Sequence, residues 1–301
     1  MEHRNAVQFS LAMGVLLLFW SSAFAAIRVG LEGYSPGQLA LLRFLTASGV
    51  LGLIAGVRRT RLPAWRDVPI ILLLGGLGIA GYHVALNTGE VTVSAGVASL
   101  LIASAPIFTA LLSAFFLRER LRPLAWVGVA VGFGGIALIV FGAGRGLALG
   151  SGALVVLGAS LSTSLYNVLQ KRNMRRYAPL EFTTYVIWAG TLPLLVYLPG
   201  LVRAVHLAPL AATGAAVYLG IFPGAIGYAL WVYALSKLSA SVLSSWLYLN
   251  PVLAIVIAWI WLGEIPTVLS LLGGAVAVGG VMLVAFFGRR PGPAGVVPEG
   301  R

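Results

Sequence analysis

The chain has 301 residues, of which 59% are hydrophobic and only 9% charged, and its formal net charge is +12 at pH 7. A soluble domain carries roughly 25% charged residues to wet its surface, so this composition excludes a soluble globule and favours a protein dissolved in lipid. Cysteine is absent, which excludes disulfides, thiolate metal sites and thiol catalysis. The basic excess could indicate nucleic-acid binding, but the arginines are dispersed between hydrophobic segments, so no nucleic-acid partner is expected.

Ten hydrophobic segments are each long enough to cross a bilayer, which takes about 20 mostly apolar residues. They lie near residues 8–28, 36–57, 68–88, 92–117, 123–142, 151–170, 180–199, 211–235, 239–262 and 267–287. The sequence therefore predicts an all-α integral membrane protein with a disordered Pro- and Gly-rich tail at 289–301. The first segment could also be a signal peptide cleaved near Ala25, but its counterpart in the second half favours a transmembrane helix.

Basic residues are unequally divided between the two sides that ten alternating helices define. With the N-terminus inside, 16 Lys and Arg residues fall on the inner side, and 3 (Arg28, Arg145 and Arg203) fall on the outer side. Arg43 remains inside helix two. Because Lys and Arg accumulate in cytoplasmic loops, this distribution predicts that both termini are cytoplasmic.

The second half of the chain repeats the first. A window starting at Ser94 corresponds without a gap to one starting at Ser239, a spacing of 145 residues. At this spacing Pro106 meets Pro251, Glu119 meets Glu264, and Gly134-Gly135 meets Gly279-Gly280. Each half holds five helices, an odd number, so the second half must enter the membrane from the opposite side. Inverted repeats place a binding site between the halves and open it alternately to each side, so residues 1–145 and 146–288 are predicted to form two repeats of a transporter around a central cavity.

One pattern occurs in both halves and resembles a known family. A mid-helix proline is followed by Leu-x-Glu at the helix end (117–119 and 262–264) and then by a Gly-rich helix. Together with the segment 19–24 (FWSSAF), and with Pro36 followed by Arg43-Phe44, this resembles the EamA-type branch of the drug/metabolite transporter superfamily over nearly the whole chain. The resemblance implies a cavity lined by helices one, three and four and by six, eight and nine. It also implies a multi-pass protein of the bacterial inner (cell) membrane that exports amino acids, with aromatic and other neutral ones favoured. Other small metabolites or drugs are the alternative substrates.

Polar and aromatic residues at helical spacing give the candidate cavity lining. Helix six carries a polar stripe that ends at Gln170, and helix nine carries one that begins at Ser241. The predicted substrate-binding residues are Trp20, Tyr82, His83, Asn87, Ser99, Thr163, Tyr166, Asn167, Ser244, Ser245, Trp246 and Tyr248. The same residues could instead form hydrogen bonds between helices, or anchor the protein at the membrane interface. His83 could also carry a proton near neutral pH, although a hydrogen-bonded wall residue is the commoner role.

Pro106 and Pro251, predicted to lie mid-helix, are candidate hinges for alternating access, or static bends that shape the cavity. Arg43 is expected to find an ion-pair or carbonyl partner near the outer end of a peripheral helix two. The three GxxxG pairs that begin at Gly52, Gly128 and Gly220 are expected to pack inside one subunit, which favours a functional monomer.

The acidic residues lie at helix ends, in loops or in the tail, so no buried acid is expected to carry protons, and facilitated diffusion or exchange is favoured. No Walker loop is present, so no ATP hydrolysis is expected, and neither a cofactor nor a metal is predicted. An intramembrane enzyme is disfavoured because it would need a nucleophile–base pair or metal ligands facing one another. A channel fits the paired kinks less well than a carrier does. The predicted partners are a small-molecule substrate and the lipid bilayer.

Overall fold

A computed structural model describes residues 2–116, 121–143, 150–170, 176–235 and 246–287, with the side chains of 2–8, 235 and 287 left outside the description. Within these ranges nine helices are long and apolar enough to cross a membrane, and a tenth is apolar but shorter. The helices are α1 (Glu2–Gly30), α2 (Pro36–Val57), α3 (Trp65–Glu90), α4 (Ala95–Phe116), α5 (Pro123–Ala143), α6 (Ser151–Gln170), α7 (Pro179–Leu207), α8 (Leu210–Ala234), α9 (Asn250–Leu262) and α10 (Val268–Phe287). The predicted all-α membrane fold is confirmed, and the ten helices agree with the predicted count.

Local sequence explains where several helices begin and end. Ser35 caps α2 in a reciprocal arrangement with Gln38, and Pro36 occupies the first turn, where its missing N–H costs nothing. Ser94 caps α4 through the backbone N–H of Val97. Helix α9 stops at Gly263, whose φ of +68° is the left-handed conformation that favours glycine.

Two helices contain π-helical segments at equivalent places. In α3 the segment is Gly76–Gly81, and in α8 it is Gly220–Ile226, beginning 144 residues later. A π segment leaves backbone carbonyls without their usual intrahelical partners, and such segments are frequent at functional sites. The two segments therefore mark corresponding irregular positions in the two halves of the chain.

The proline positions differ from the prediction. Helix α4 is interrupted by a turn at Ala103–Ser104, and α9 is preceded by a turn at Tyr248–Leu249, 145 residues later. Pro106 and Pro251 are each the second residue of the helical segment that follows the turn, so they do not lie mid-helix. The reason is that proline lacks the N–H that a helix interior needs but not the N–H of a first turn. The hinge role of the two prolines stays a prediction.

Helix α7 extends beyond its predicted end near residue 199. A 3-10 turn at Leu195–Tyr197 leads into a further helical segment, Leu198–Leu207, in which Pro199 occupies the first turn. Arg203, predicted to lie in a loop, is therefore on a helix. Pro199 fits the first turn of this further segment because its missing N–H is not needed there.

The pair α5 and α10 is packed through glycine. A Cβ atom added to Gly135 would meet the backbone of Ala277, and one added to Gly280 would meet the backbone of Gly132. Gly134 and Gly279, one residue earlier in each helix, have nothing within 4 Å of such an atom. Equivalent glycines thus have equivalent surroundings, and the Gly128–Gly132 pair packs inside the subunit as predicted.

The two halves interlock through their π segments. On α1, Trp20 Nε1 donates a hydrogen bond to Pro223 O in the α8 segment at 3.3 Å. On α6, Ser162 Oγ donates to Leu77 O in the α3 segment at 2.8 Å. Each irregular segment therefore has a carbonyl that is satisfied by a helix from the other half.

Candidate functional site

One face of α3 is polar and buried. His83, Asn87 and Glu90 are spaced i, i+4 and i+7, and their exposures are 3%, 1% and 0%. Among the described residues, the buried side-chain nitrogen and oxygen atoms without a hydrogen-bond partner belong to these three residues and to Arg43. Buried polar groups are nearly always paired in stable proteins, so this concentration marks a candidate functional site.

Arg43 lies on α2 beside this face and is only 5% exposed. Its Nε atom has no hydrogen-bond partner, its guanidinium carbon lies 5.3 Å from the centre of the Phe44 ring, and no described carboxylate forms an ion pair with it. The expected ion-pair or carbonyl partner is therefore wrong for the described residues. The expected peripheral position is also wrong at this level, because α8 covers α2 where Gly220 sits against the backbone oxygen of Arg43.

Phenol groups from both halves lie within electrostatic range of the guanidinium of Arg43. Tyr82 on α3 and Tyr228 on α8 lie close enough to Arg43 to interact with it electrostatically, and so does Glu90. Tyr166 on α6 interacts in turn with Tyr228. The arrangement presents one cation and several hydroxyl donors at the junction of α2, α3, α6 and α8, which suits a carboxylate-bearing ligand.

His83 and Asn87 differ in their contacts. The His83 ring lies 4.6 Å from the Phe44 ring and 4.5 Å from the Tyr82 ring, and neither ring nitrogen has a hydrogen-bond partner. Asn87 Nδ2 donates to Pro36 O at 2.9 Å, which holds the start of α2 against α3. His83 is thus free to meet a ligand or a water, whereas Asn87 also has a structural role.

The predicted aromatic residues Trp20 and Trp246 come together. The ring centroid of Trp20 lies 5.9 Å from that of Tyr228 and 5.5 Å from that of Trp231. Trp20 and Trp246 both pack against the buried cluster formed by Met13, Leu16 and Ala234. Tyr228 therefore connects this aromatic group to Arg43.

Tyr248 lies elsewhere. It lines an apolar groove of about 370 Å³ together with residues such as Pro251 of α9 and Leu271 and Gly274 of α10. The structure therefore places Tyr248 at an α9–α10 groove.

The residues of the predicted polar stripe on α6 are half-buried, and they make different kinds of contact. The Tyr166 ring lies against Gly78 of the α3 π segment, and Asn167 Oδ1 accepts a hydrogen bond from Gln170 Nε2 at 3.0 Å. Thr163 is half-buried on the same helix. Ser99 is buried and donates to Gly96 O of its own helix at 2.6 Å. Ser241, Ser244 and Ser245 lie outside the described residues.

Sequence reasoning missed a serine pair at the interruption of α4. Ser160 and Ser164 on α6 are fully buried, and Ser164 Oγ donates to Ala105 O at 2.9 Å. Ser164 therefore ties α6 to the segment that follows the interruption, and Ser160 Oγ lies 3.4 Å from Ser104 Oγ in the turn itself. Their i, i+4 spacing was a visible signal, on a face adjacent to the predicted stripe.

Sequence reasoning also missed a polar latch at one end of the bundle, called here the Arg28 end. Arg28 Nε forms an ion pair with Glu264 Oε1 at 3.0 Å, and Glu264 Oε2 accepts a hydrogen bond from the backbone N–H of Ala95 at 2.9 Å. Arg28 Nη1 donates to the backbone oxygen of Glu90. Beside the latch is a cleft of about 350 Å³ lined by residues that include Glu32 and Val91. The repeated Leu-x-Glu motif was the sequence signal for this contact.

The opposite end, called here the Asp67 end, is tied by a second polar cluster. Arg176 Nη1 forms an ion pair with Asp67 Oδ1 at 2.7 Å, and the Tyr177 hydroxyl donates to Asp67 Oδ2 at 2.7 Å. The same hydroxyl accepts from the backbone N–H of Ala64 at 3.0 Å. Burial, followed by the hydrogen bond to Asp67, raises the pKa of Tyr177 above its usual value.

A bundle of apolar helices with irregular segments at equivalent positions and a polar cluster between its halves defines a multi-pass membrane transport protein. The model of the EamA-like transporter family matches residues 9–141 and again residues 150–286. The chain therefore belongs to the EamA-like transporter family, and it is a transporter rather than an enzyme.

Similar proteins agree with this assignment. The chain is 48% identical to the uncharacterized transporter YdfC of Bacillus subtilis over 92% of this chain and 91% of the relative. It is 45% identical to a probable terminal-alkyne amino-acid exporter of Streptantibioticus cattleyicolor, over 91% and 92% of the two chains. A solved crystal structure at 24% identity superposes with a TM-score of 0.59 over 92% of this chain and 96% of the other, which supports the fold alone.

Proposed function

We propose that the protein exports amino acids with apolar or aromatic side chains by alternating access between its two halves. The observation that carries this proposal is the buried guanidinium of Arg43, which has no carboxylate partner among the described residues and lies within electrostatic range of Tyr82 and Tyr228. A cation held in this way is suited to bind the carboxylate of a substrate, because charge-assisted hydrogen bonds are strong in a water-poor site.

The surroundings of Arg43 fit the remainder of an amino acid. Trp20 and Trp231 form an aromatic wall that reaches the site through Tyr228, and aromatic faces bind apolar side chains well. Glu90 is suited to pair with the ammonium group of the substrate, because both of its carboxyl oxygens are unpaired. It also interacts electrostatically with Arg43. The similarity to a relative named as a probable amino-acid exporter supports the same substrate class.

The test is efflux of labelled phenylalanine from liposomes that contain the purified protein. Phenethylamine, which lacks the carboxylate, should compete poorly, whereas other neutral amino acids should compete well. Arg43→Met should lose about 2 kcal/mol of substrate binding, roughly a 30-fold weaker affinity, because it removes a charge-assisted hydrogen-bond donor. Arg43→Lys should retain part of the binding.

The control is Arg203→Met, since Arg203 is exposed on α7 far along the chain from the site. Folding of each variant is checked by gel filtration and thermal unfolding in detergent. Normal transport by well-folded Arg43→Met would refute the binding of the substrate carboxylate by Arg43. The role of Arg43 would then be structural. Absence of efflux for every amino acid tested would move the proposal to another class of small metabolite.

A further inference from the structure

Glu90 is the one carboxylic acid in the described membrane helices that is completely buried. It is the last residue of α3, two residues beyond the predicted helix end near 88, but it is 0% exposed, and neither carboxyl oxygen has a hydrogen-bond partner. The expectation that no buried acid is available is therefore wrong. Position along a helix does not reveal what covers its end, and here α1 and the segment after α9 cover it through Arg28 and Glu264.

The charged groups that face Glu90 come from several elements. They are Arg28 on α1, Arg43 on α2 and Glu264 after α9, and His83 lies two turns away on α3 itself. The guanidinium of Arg28 is already engaged by Glu264 and by the Glu90 backbone oxygen, so the Glu90 carboxyl forms no ion pair. Burying an ionised carboxylate without a partner is far more costly than burying the protonated acid.

We propose that Glu90 is the proton-binding group of an antiporter, and that the proton and the ammonium group of the substrate replace one another at its carboxyl. The proposal rests on the proposed function, amino-acid export. The closed form without substrate contains the protonated acid. When an amino acid binds, the O–H bond of Glu90 breaks, the proton leaves to water, and the carboxylate pairs with the substrate ammonium.

Features that a proton route would use lie on both sides of Glu90. The cleft beside the Arg28–Glu264 latch is lined by Val91, the next residue, so it comes within one residue of Glu90, which stays covered in this closed form. In the other direction, the unpaired atoms of Asn87 and His83 continue along the same face of α3 toward Tyr82. The Arg28 end is the outer one in the orientation that the basic residues predict, so protons would enter there as amino acids leave.

The coupling also gives the Arg28 latch a function. Closing this end without substrate buries Glu90, and this requires a proton. Opening it separates Arg28 from Glu264, admits water and lets Glu90 exchange its proton with the outside. Without substrate, the protein therefore closes at this end only after Glu90 has bound a proton.

The experiment compares two modes of transport in the same proteoliposomes. In the first, labelled phenylalanine exchanges against unlabelled phenylalanine without a pH gradient. In the second, vesicles that are acidic inside take up phenylalanine in exchange for protons. Wild type should perform both. Glu90→Gln should lose the stimulation by the pH gradient, and its remaining exchange should be weaker because the ammonium partner is lost, whereas Glu90→Asp should retain the stimulation. Glu181→Gln, which alters a half-buried acid in the first turn of α7 at the opposite end, should behave as wild type.

A second measurement is independent of transport. The infrared absorption of a protonated carboxylic acid is recorded at neutral pH for wild type and Glu90→Gln, and the proposal expects a band that the variant lacks. Exchange without any effect of the pH gradient on wild type would overturn the proposal and leave amino-acid transport standing. If no amino acid is transported, the proposed function fails, and the infrared measurement alone tests the proton site. A band that Glu90→Gln lacks supports Glu90 as that site, and the absence of such a band overturns the assignment.

Discussion

The carboxylate of Glu264 accepts a hydrogen bond from the backbone N–H of Ala95, at a distance of 2.9 Å and across 169 residues of chain. Ala95 is the first residue of α4, so its N–H is one of those that a helix leaves unpaired at its start. A negative charge at that position is further stabilised by the helix dipole. The second Leu-x-Glu motif therefore ends α9 and caps α4 in the other half.

The latch predicts the effect of Glu264→Gln. The change removes the ion pair with Arg28 and weakens the cap of α4, at a cost of about 1–3 kcal/mol. The fully buried Ala95 should then become more accessible. Because the chain has no cysteine, the single variant Ala95→Cys gives a clean label, and its reaction with a water-soluble thiol reagent should be faster in the Glu264→Gln background. The control is Glu32→Gln, and equal labelling rates in all backgrounds would contradict the prediction.

The glycines of α5 provide a matched pair one residue apart. Gly135→Ala places a methyl group against the backbone of Ala277, where only separation of α5 and α10 can make room. The expected destabilisation is about 1–3 kcal/mol, seen as a lower midpoint of thermal unfolding in detergent. Gly134→Ala has nothing within 4 Å and should unfold as wild type does. Equal midpoints for the two variants would show that the helices do not pack as described.

The indole of Trp20 is predicted to support the π segment of α8. Trp20→Phe keeps an aromatic ring but removes the hydrogen bond to Pro223 O, which should cost about 1 kcal/mol. The transport rate should fall as well, because the same ring contacts Tyr228. Trp126→Phe changes a tryptophan that is 53% exposed, and it should alter neither the unfolding midpoint nor transport. An unchanged midpoint in Trp20→Phe would argue against this support.

Tyr177 at the Asp67 end predicts a dependence of stability on pH. Its pKa is raised by burial and by the hydrogen bond to Asp67, so the unfolded chain loses this proton at a lower pH than the folded protein does. The stability it contributes is complete below the usual pKa of 10.0 and is lost as the pH rises through the raised value. Above that pH, the midpoint of thermal unfolding should therefore fall more steeply with pH for wild type than for Tyr177→Phe. Parallel curves for the two proteins would count against the assignment.

Much of the fold was accessible from the sequence. Apolar segments of sufficient length predicted the helices, and the 145-residue spacing predicted that Gly135 and Gly280 would be equivalent. The π segments were not predicted, because α8 continues in sequence as one apolar run through Gly220–Ile226. Pro106 and Pro251 indicated irregular positions correctly but suggested bends within helices in place of helix starts.

The candidate site was predicted only in part. Tyr82, His83 and Tyr166 were recognised as polar or aromatic positions on apolar helices, and the structure brings Tyr82 and His83 near Arg43 and Tyr166 near Tyr228. The burial of Arg43 and Glu90 was missed, because sequence position gives depth along a helix but not the neighbour that covers a side chain. Glu90 seemed an ordinary helix-end acid until Arg28 and Glu264 were placed over it.

The interlocked packing of α1 with α8 and of α6 with α3 has a consequence for biogenesis. During synthesis, the first five helices enter the membrane before the partners of Trp20 and Ala95 exist, since these are Pro223 and Glu264 in the second half. Until the ribosome has made α8, the indole N–H of Trp20 lacks its acceptor, Pro223 O. Until it has made the segment after α9, the start of α4 lacks its contact with Glu264. These contacts between the halves therefore form late, after the second half has been synthesised, and a chain that ends midway lacks them.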